Sequence, residues 1–345
     1  MQGRAANEVC DQPRAIIVVS SCPAGIIGDD IERVQTLSEP DMPVITVKAD
    51  GNMNGDFMQG LLDSYILLGR RIIKHDVQII PKTVNIVAEK IILTNIMDDN
   101  FRVISGFLGR MGVSVNCRFI YDTSFDALEN FCAAELNLLA YKDYGSTVLE
   151  TFLKDEYGCN FFDLAFPVGF AETKTWLYKA ARFFKCPEVA EAIIAENREL
   201  YKNEITSLRK TLNSKKLMII TYNYELDWII QTAIDLGIDI VKIGLLNYSQ
   251  DEGFRTNLDI TFPVEAEYDR DNRAADIAKY QPDILLTNYQ FSLAGDVPVA
   301  DTIPLCSDVG FFSGLNLARR WANLLKLDQK GEWRQDEYLF DKYFA

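Results

Sequence analysis

Short β-branched apolar runs recur along the chain, at residues 15–20, 44–49, 83–88, 114–120, 136–140, 217–222, 239–244, 258–262 and 283–287. Their apolarity is continuous rather than alternating, the mark of strands buried on both faces, as in parallel sheets covered by helices. Amphipathic stretches at 97–111, 125–133, 146–156, 224–236 and 274–280 lie between them and predict helices. Strand and helix alternate without a long run of strands. The pattern therefore predicts an α/β protein of doubly wound parallel-sheet units.

Residues 187–212 read as one long helix, with Glu191, Glu196, Arg198, Glu199, Lys202, Glu204, Arg209 and Lys210 on its exposed face. At 1.5 Å per residue it would span about 39 Å, enough to connect two units. Asn213-Ser214-Lys215 then breaks it and a fresh strand follows. The expected organisation is three Rossmann-like domains. Residues 1–80 form part of the first, 81–186 the second, 187–213 the connecting helix, 214–328 the third with a closing helix, and 329–345 a polar tail. Residues 1–80 hold only two convincing strands, too few for an independent parallel sheet, so this first domain is incomplete. Either the C-terminal segment folds back to complete it, or further chain does.

Composition narrows the function classes. With 35 basic against 50 acidic residues the net charge is −15, which disfavours nucleic acid or an anionic membrane surface as a direct partner. No apolar stretch reaches the ~20 residues that span a bilayer, and Met1 is not followed by a leader-like segment. Seven cysteines with no CxxC pair, in a chain able to build its own core, point to reduced thiols and a cytoplasmic setting. A single histidine, His75, leaves little room for a His-based triad or a three-His zinc site. No GxxxxGK[ST] or GxGxxG loop occurs, so nucleotide binding is not expected of this chain.

The sharpest local motif is VVSSCPAGIIGDD at residues 18–30. It places Cys22 in a turn after a buried strand, with Pro23 stopping the strand and a helix starting near Ile31. The carboxyl end of a parallel strand is where α/β sheets bind ligands, and a nearby helix N-terminus favours a thiolate. Cys22 is therefore a candidate cluster ligand or nucleophile; the alternative is a small turn residue without chemistry. Tyr222 and Tyr289 follow two other strands and are candidates to line a pocket for a flat ligand, or are ordinary polar loop starts.

The segment VSSCPAGIIGDDIERV resembles the signature of the nitrogenase component 1 superfamily around a cluster-ligating cysteine. Further similarities follow in order: residues 47–60 to its Gly-rich loop, 82–89 to its VNIIGE strand, 113–116 with 134–139 to its GI-VN and ANLNL segments, 169–176 to the stretch before its long helix, and 310–325 to its closing helix. The resemblance covers roughly residues 8–326. It implies three Rossmann-like domains around a cleft, assembly as a dimer or tetramer with a homologous second subunit or with itself, and electron delivery by an ATP-dependent iron-protein reductase to a small-molecule substrate. It also implies an iron-sulfur cluster shared with a second chain, with Cys22 as one ligand.

The departures from the pattern bear on the chemistry. The upstream cluster cysteines of the family have no counterpart here. Asp56 falls where one family subunit has a serine near the cluster, and offers an oxygen ligand or simply a Gly-Asp turn. The cofactor-anchoring cysteine position falls at Ala140–Tyr141, without a thiol, and the histidine position falls near Cys306, without an imidazole. Dinitrogen reduction is therefore not expected, and Cys306 is a candidate ligand for another metal or a buried strand-end thiol. Alternatives are a non-catalytic scaffold or carrier for a cluster or tetrapyrrole, and a truncated paralogue holding no cluster. Cys117, Cys132, Cys159 and Cys186, with no short spacing among them, read as packing residues, and His75 as a surface residue.

Overall fold

The structure is a computed structural model that describes residues 13–20, 22–28, 30–38, 42–48, 55–91, 93–222, 225–246, 256–288, 297–304 and 306–326. Strands β1 (Ile16–Val19), β2 (Val44–Val47), β3 (Ile80–Val87), β4 (Ser114–Arg118), β5 (Ala134–Leu139), β6 (Lys216–Thr221), β7 (Asp239–Leu245), β8 (Val264–Ala266), β9 (Ile284–Thr287) and β10 (Val299–Thr302) pair only in parallel. They alternate with helices α1 (Cys22–Ile27), α2 (Phe57–Ile72), α3 (Thr94–Arg110), α4 (Phe125–Glu129), α5 (Tyr144–Tyr157), α6 (Gly169–Phe183), α7 (Pro187–Leu212), α8 (Asp227–Leu236), α9 (Arg273–Tyr280) and α10 (Ser313–Leu324). The α/β class and the parallel sheets read from the apolar runs are thus present. There are three sheets among the described residues: β1-β2, β4-β3-β5 and β8-β7-β6-β9-β10.

The chain divides into two compact units, Met1–Met97 with Leu108–Phe166, and Asp98–Phe107 with Pro167–Ala345. In the first, Val87, Cys117, Phe119 and Leu139 from the three-stranded sheet pack with Ile45 of β2, Leu62 and Tyr65 of α2, and Leu149, Phe152 and Leu153 of α5. Strand β1 contrasts with that core: Ile16, Ile17 and Val19 are exposed.

In the second unit the strand order is 3-2-1-4-5 within the sheet, the doubly wound arrangement. Side chains alternate between its faces. Leu217, Ile219, Ile243 and Leu286 pack with Leu212 of α7, Ile229 and Ala233 of α8, and Leu315 and Trp321 of α10. Met218, Ile220 and Leu285 face the other way, toward Tyr268 and Ile277. Helix α7 runs unbroken over Pro187–Leu212, with Pro187 in its first turn, where no N–H is needed.

Helix α10 approaches α8 closely at Gly314. A Cβ there would lie 1.8 Å from Oγ1 and 2.8 Å from Cβ of Thr232. Alanine gains about 1 kcal/mol in helix propensity over glycine, but overpacking of a tight contact costs about 1–3 kcal/mol and backbone shifts add to it. Gly314→Ala is therefore expected to lower the denaturation midpoint of this unit, and a further Thr232→Ala, which removes Oγ1 and Cγ2 but keeps the Cβ at 2.8 Å, to restore only part of the loss. Tryptophan fluorescence reads this directly, because Trp176, Trp228 and Trp321 lie in the second unit and the first contains no tryptophan.

Two local readings are corrected. Residues 258–262 form no strand: Leu258, Ile260 and Phe262 pack, half-buried, on the core, and pairing with β7 begins only where Ile243 N–H donates to the Pro263 carbonyl (3.0 Å). The expected helix over 125–133 stops at Glu129, and a separate 3₁₀ turn, Phe131–Ala133, leads into β5.

Candidate functional site

Cys22 does not sit in a turn; it opens helix α1, and Pro23 begins that helix rather than ending a strand. The helix ends at Gly28, whose φ of +75° favours a residue without Cβ. Asp30 then caps a 3₁₀ helix, Ile31–Leu37, accepting from Glu32 N–H at 3.2 Å. The net effect is to hold Cys22 just past the carboxyl end of β1. Among the described cysteines Cys22 alone is exposed. Asp56 follows β2, the parallel neighbour of β1, and is exposed; its Oδ1 accepts from Gln59 N–H at 2.9 Å and so caps α2.

The remaining candidates lie elsewhere. Cys306 is buried in the second unit, before a segment that Asn100 pins by donating to the Ser307 carbonyl (3.2 Å) and accepting from Val309 N–H (3.0 Å). Tyr222 stands at the carboxyl end of β6, where the strand order reverses between β6 and β9, the place where doubly wound sheets take ligands. Asn288 ties the two strand ends together by accepting from Tyr222 N–H (3.0 Å). The Arg270 guanidinium reaches the Tyr222 hydroxyl and lies 5.4 Å from its ring centre. Tyr289 lies outside the described residues.

Charged residues at the carboxyl edge of β4-β3-β5 escaped the sequence reading. Glu89, just past β3, and Arg118, the last residue of β4, form a buried two-pronged ion pair, Nε to Oε2 at 2.9 Å and Nη2 to Oε1 at 2.7 Å. The Arg118 guanidinium also covers the Tyr121 ring at 4.4 Å. Burial, assisted by the Glu89 charge, pushes the Tyr65 hydroxyl up to about 12. Beside them, at the β3/β5 reversal, Lys90 pairs with Asp143 and lies 5.3 Å from the Tyr141 ring, while Tyr141 donates to Met97 Sδ at 3.5 Å. Burial works to raise the Asp143 carboxyl, but Lys90 and the Ser146 N–H and hydroxyl outweigh it and hold the acid below its ordinary value. The usable signal was Glu89-Lys90 closing an otherwise apolar strand run.

A second buried charge cluster props the large sheet. Lys242 of β7 contacts Asp276 (2.6 Å) and Glu265 (2.7 Å), and Tyr268 donates to Asp276 at 2.9 Å. Desolvation disfavours the ammonium, but the two carboxylates prevail and raise Lys242 above its ordinary value.

These features define a parallel α/β protein whose polar residues gather at carboxyl strand ends. The sequence profile of the nitrogenase component 1 type oxidoreductases matches residues 5–326, and the chain belongs to that family. The nitrogenase molybdenum-iron protein alpha chain of Methanothermobacter thermautotrophicus is 24% identical over 327 residues, covering 89% of this chain and 67% of that protein. The molybdenum-iron protein alpha chain of Methanosarcina barkeri is 26% identical over 67% of this chain and 44% of its own length. The iron-molybdenum cofactor biosynthesis protein NifE of the same organism is 27% identical over 67% of this chain and 52% of its own length. The matched regions thus span between 44% and 67% of these relatives. The solved structure "Nitrogenase Cp1 at pH 6.5" shares the fold, with a TM-score of 0.66 at 18% identity over 93% of this chain and 74% of that one.

An iron-sulfur cluster is the group this family implies. Among the described residues no three His, Cys, Asp or Glu side chains come together as a metal site. Cys22 nevertheless suits one half of a shared site, since its thiol is exposed at a strand end. No helix among the described residues is long and apolar enough to cross a membrane.

Proposed function

We propose that this chain is one subunit of a nitrogenase component 1 type oxidoreductase, in which Cys22 supplies a thiolate to an iron-sulfur cluster completed by a second, homologous or identical chain. The observation that carries this reading is the exposure of Cys22 alone among the described cysteines, on the segment that carries the family signature. A closed site needs its ligands gathered within one chain; an exposed single thiolate suits an interface. The cluster, when bound, supplies one-electron storage. The chain's own part is to hold Cys22 at the strand end through α1 and to keep Asp56, already engaged as the cap of α2, on the segment that follows β2. In the second unit Tyr222, Arg270 and Asn288 at the β6/β9 reversal supply donors and an aromatic face for a small molecule; in the first unit Lys90 and Tyr141 at the β3/β5 reversal offer the same chemistry on their own. Tyr289 remains a candidate to line a pocket with Tyr222, and Cys306 a candidate ligand for a further metal. The missing thiol at Tyr141 and the missing imidazole near Cys306 argue against dinitrogen as that molecule.

A scaffold or carrier role is the second reading, favoured by the cofactor biosynthesis proteins among the relatives. Anaerobic protein co-purified with its partner subunit separates the two. A catalytic subunit is expected to take up electrons from an ATP-hydrolysing iron protein with MgATP and not with a non-hydrolysable analogue, seen as bleaching of the cluster absorbance. Retained cluster without ATP-dependent uptake would replace the catalytic reading with the scaffold.

A further inference from the structure

We propose, resting on the reading of the β6/β9 reversal as a ligand site, that Arg270 recognises a carboxylate group of the small molecule taken up there. The segment that carries Arg270 is held over the strand ends from several sides. Strand β8 ends at Ala266, and Glu267, with a left-handed φ of +54°, turns the chain. Tyr268 N–H then donates to the Leu245 carbonyl at the end of β7 (2.8 Å). The Tyr268 ring lies against Gly244, where a Cβ would come within 2.6 Å of it. Its hydroxyl donates to Asp276 at 2.9 Å, and Asp276 pairs with Lys242 at 2.6 Å, so the buried charge cluster anchors the ring. Asp269 caps the following 3₁₀ turn, Arg270–Asn272, by accepting from Asp271 N–H at 3.0 Å.

Arg270 itself is exposed, with its guanidinium at the Tyr222 hydroxyl and 5.4 Å from the centre of that ring. The strand ends beneath are joined to one another: Leu246 N–H donates to the Thr221 carbonyl (2.9 Å), and Tyr222 N–H to Asn288 Oδ1 (3.0 Å). An arginine held in this way loses little freedom when a ligand arrives. Its planar fork of donors matches the two oxygens of a carboxylate.

The same edge disfavours a phosphate. Doubly wound units seat phosphate on a glycine-rich turn and on the N-terminus of the helix that follows the first strand. Between β6 and α8 the chain reads Tyr-Asn-Tyr-Glu-Leu, without glycine. Helix α8 then opens with Asp227, whose Oδ2 accepts from Asn257 N–H at 3.0 Å and whose Oδ1 is buried. A carboxylate of the chain itself thus stands at the helix end that would attract a dianion. Asp269 and Asp271 flank Arg270 as well, so a group with a single negative charge is favoured over one with two.

Saturation-transfer NMR on the full-length chain tests this with matched acids and amides, benzoate beside benzamide and 2-naphthoate beside 2-naphthamide, since Tyr222 offers an aromatic face. The expected result is transfer to the carboxylates and not to the amides. Arg270→Gln should raise the carboxylate dissociation constant at least about tenfold, the effect of losing charge-assisted hydrogen bonds. Arg270→Lys, which keeps the charge without the fork, should fall between. Arg270 is exposed, so both variants should fold, and far-UV circular dichroism checks it. No transfer to either carboxylate in the wild type, equal transfer to acids and amides, or binding unchanged in Arg270→Gln would overturn the assignment. Displacement of the carboxylates by inorganic phosphate at lower concentration would overturn it in favour of a phosphate site. The readout is independent of iron: carboxylate binding through Arg270 in a chain without a cluster would sink the cluster reading alone, and a cluster without carboxylate binding would sink this one alone.

Discussion

Replacing Arg118 by methionine is expected to destabilise the first unit by about 3–5 kcal/mol, the usual cost of leaving a buried charge without its partner. Glu89 is 6% exposed, and Arg118 contacts both of its carboxylate oxygens. Without Arg118 the carboxylate must take up a proton or draw water into the end of the β3 and β4 strands. The same pair is a weak source of net stability, since desolvation offsets much of the attraction. Arg118→Met combined with Glu89→Leu is therefore expected to be more stable than Arg118→Met alone. Amide hydrogen exchange of β3, β4 and β5, read by mass spectrometry, checks this within the tryptophan-free unit. A single variant no less stable than the double variant would show that the charge pair is not what holds this edge.

The central strands were legible because burial on both faces imposes a composition. Runs such as those at β6 and β9 have almost no polar side chains, and the interior tolerates little else. Edges are less constrained. Strand β10, Val-Ala-Asp-Thr, is half polar and, among the described residues, pairs on one side only, so its sequence carries little strand signal. The run at 258–262 carried too much: Leu258, Ile260 and Phe262 are apolar because they pack on the core, while Pro263 lacks an N–H and contributes only its carbonyl to the ladder. Helix α2 hides behind Gly60 and Gly69, and the second is required, because a Cβ at Gly69 would lie 2.9 Å from the Phe152 ring.

Of the candidate site, the residues next to strand ends were legible and those brought together by the fold were not. Cys22 and Asp56 follow adjacent strands and could be proposed from motif and order alone. The Glu89–Arg118 and Lys90–Asp143 pairs join residues 29 and 53 positions apart. No local pattern encodes such meetings; they depend on which strand crosses to which side of β3.

The second large effect concerns Cys22. Its side chain is exposed at the start of a short helix, where substitution changes stability by no more than about 0.5 kcal/mol. Cys22→Ala should therefore leave the fold intact while removing the thiolate we propose as a ligand of a shared cluster, which neither water nor a carboxylate replaces as a soft ligand. The decisive measurement is iron and acid-labile sulfide per chain in anaerobically purified protein co-expressed with its partner subunit, wild type beside Cys22→Ala. The expected result is iron and sulfide in matched amounts in the wild type and a background level in the variant. A wild type without iron under these conditions, or a variant that keeps its full complement, would contradict the assignment of Cys22 to a cluster.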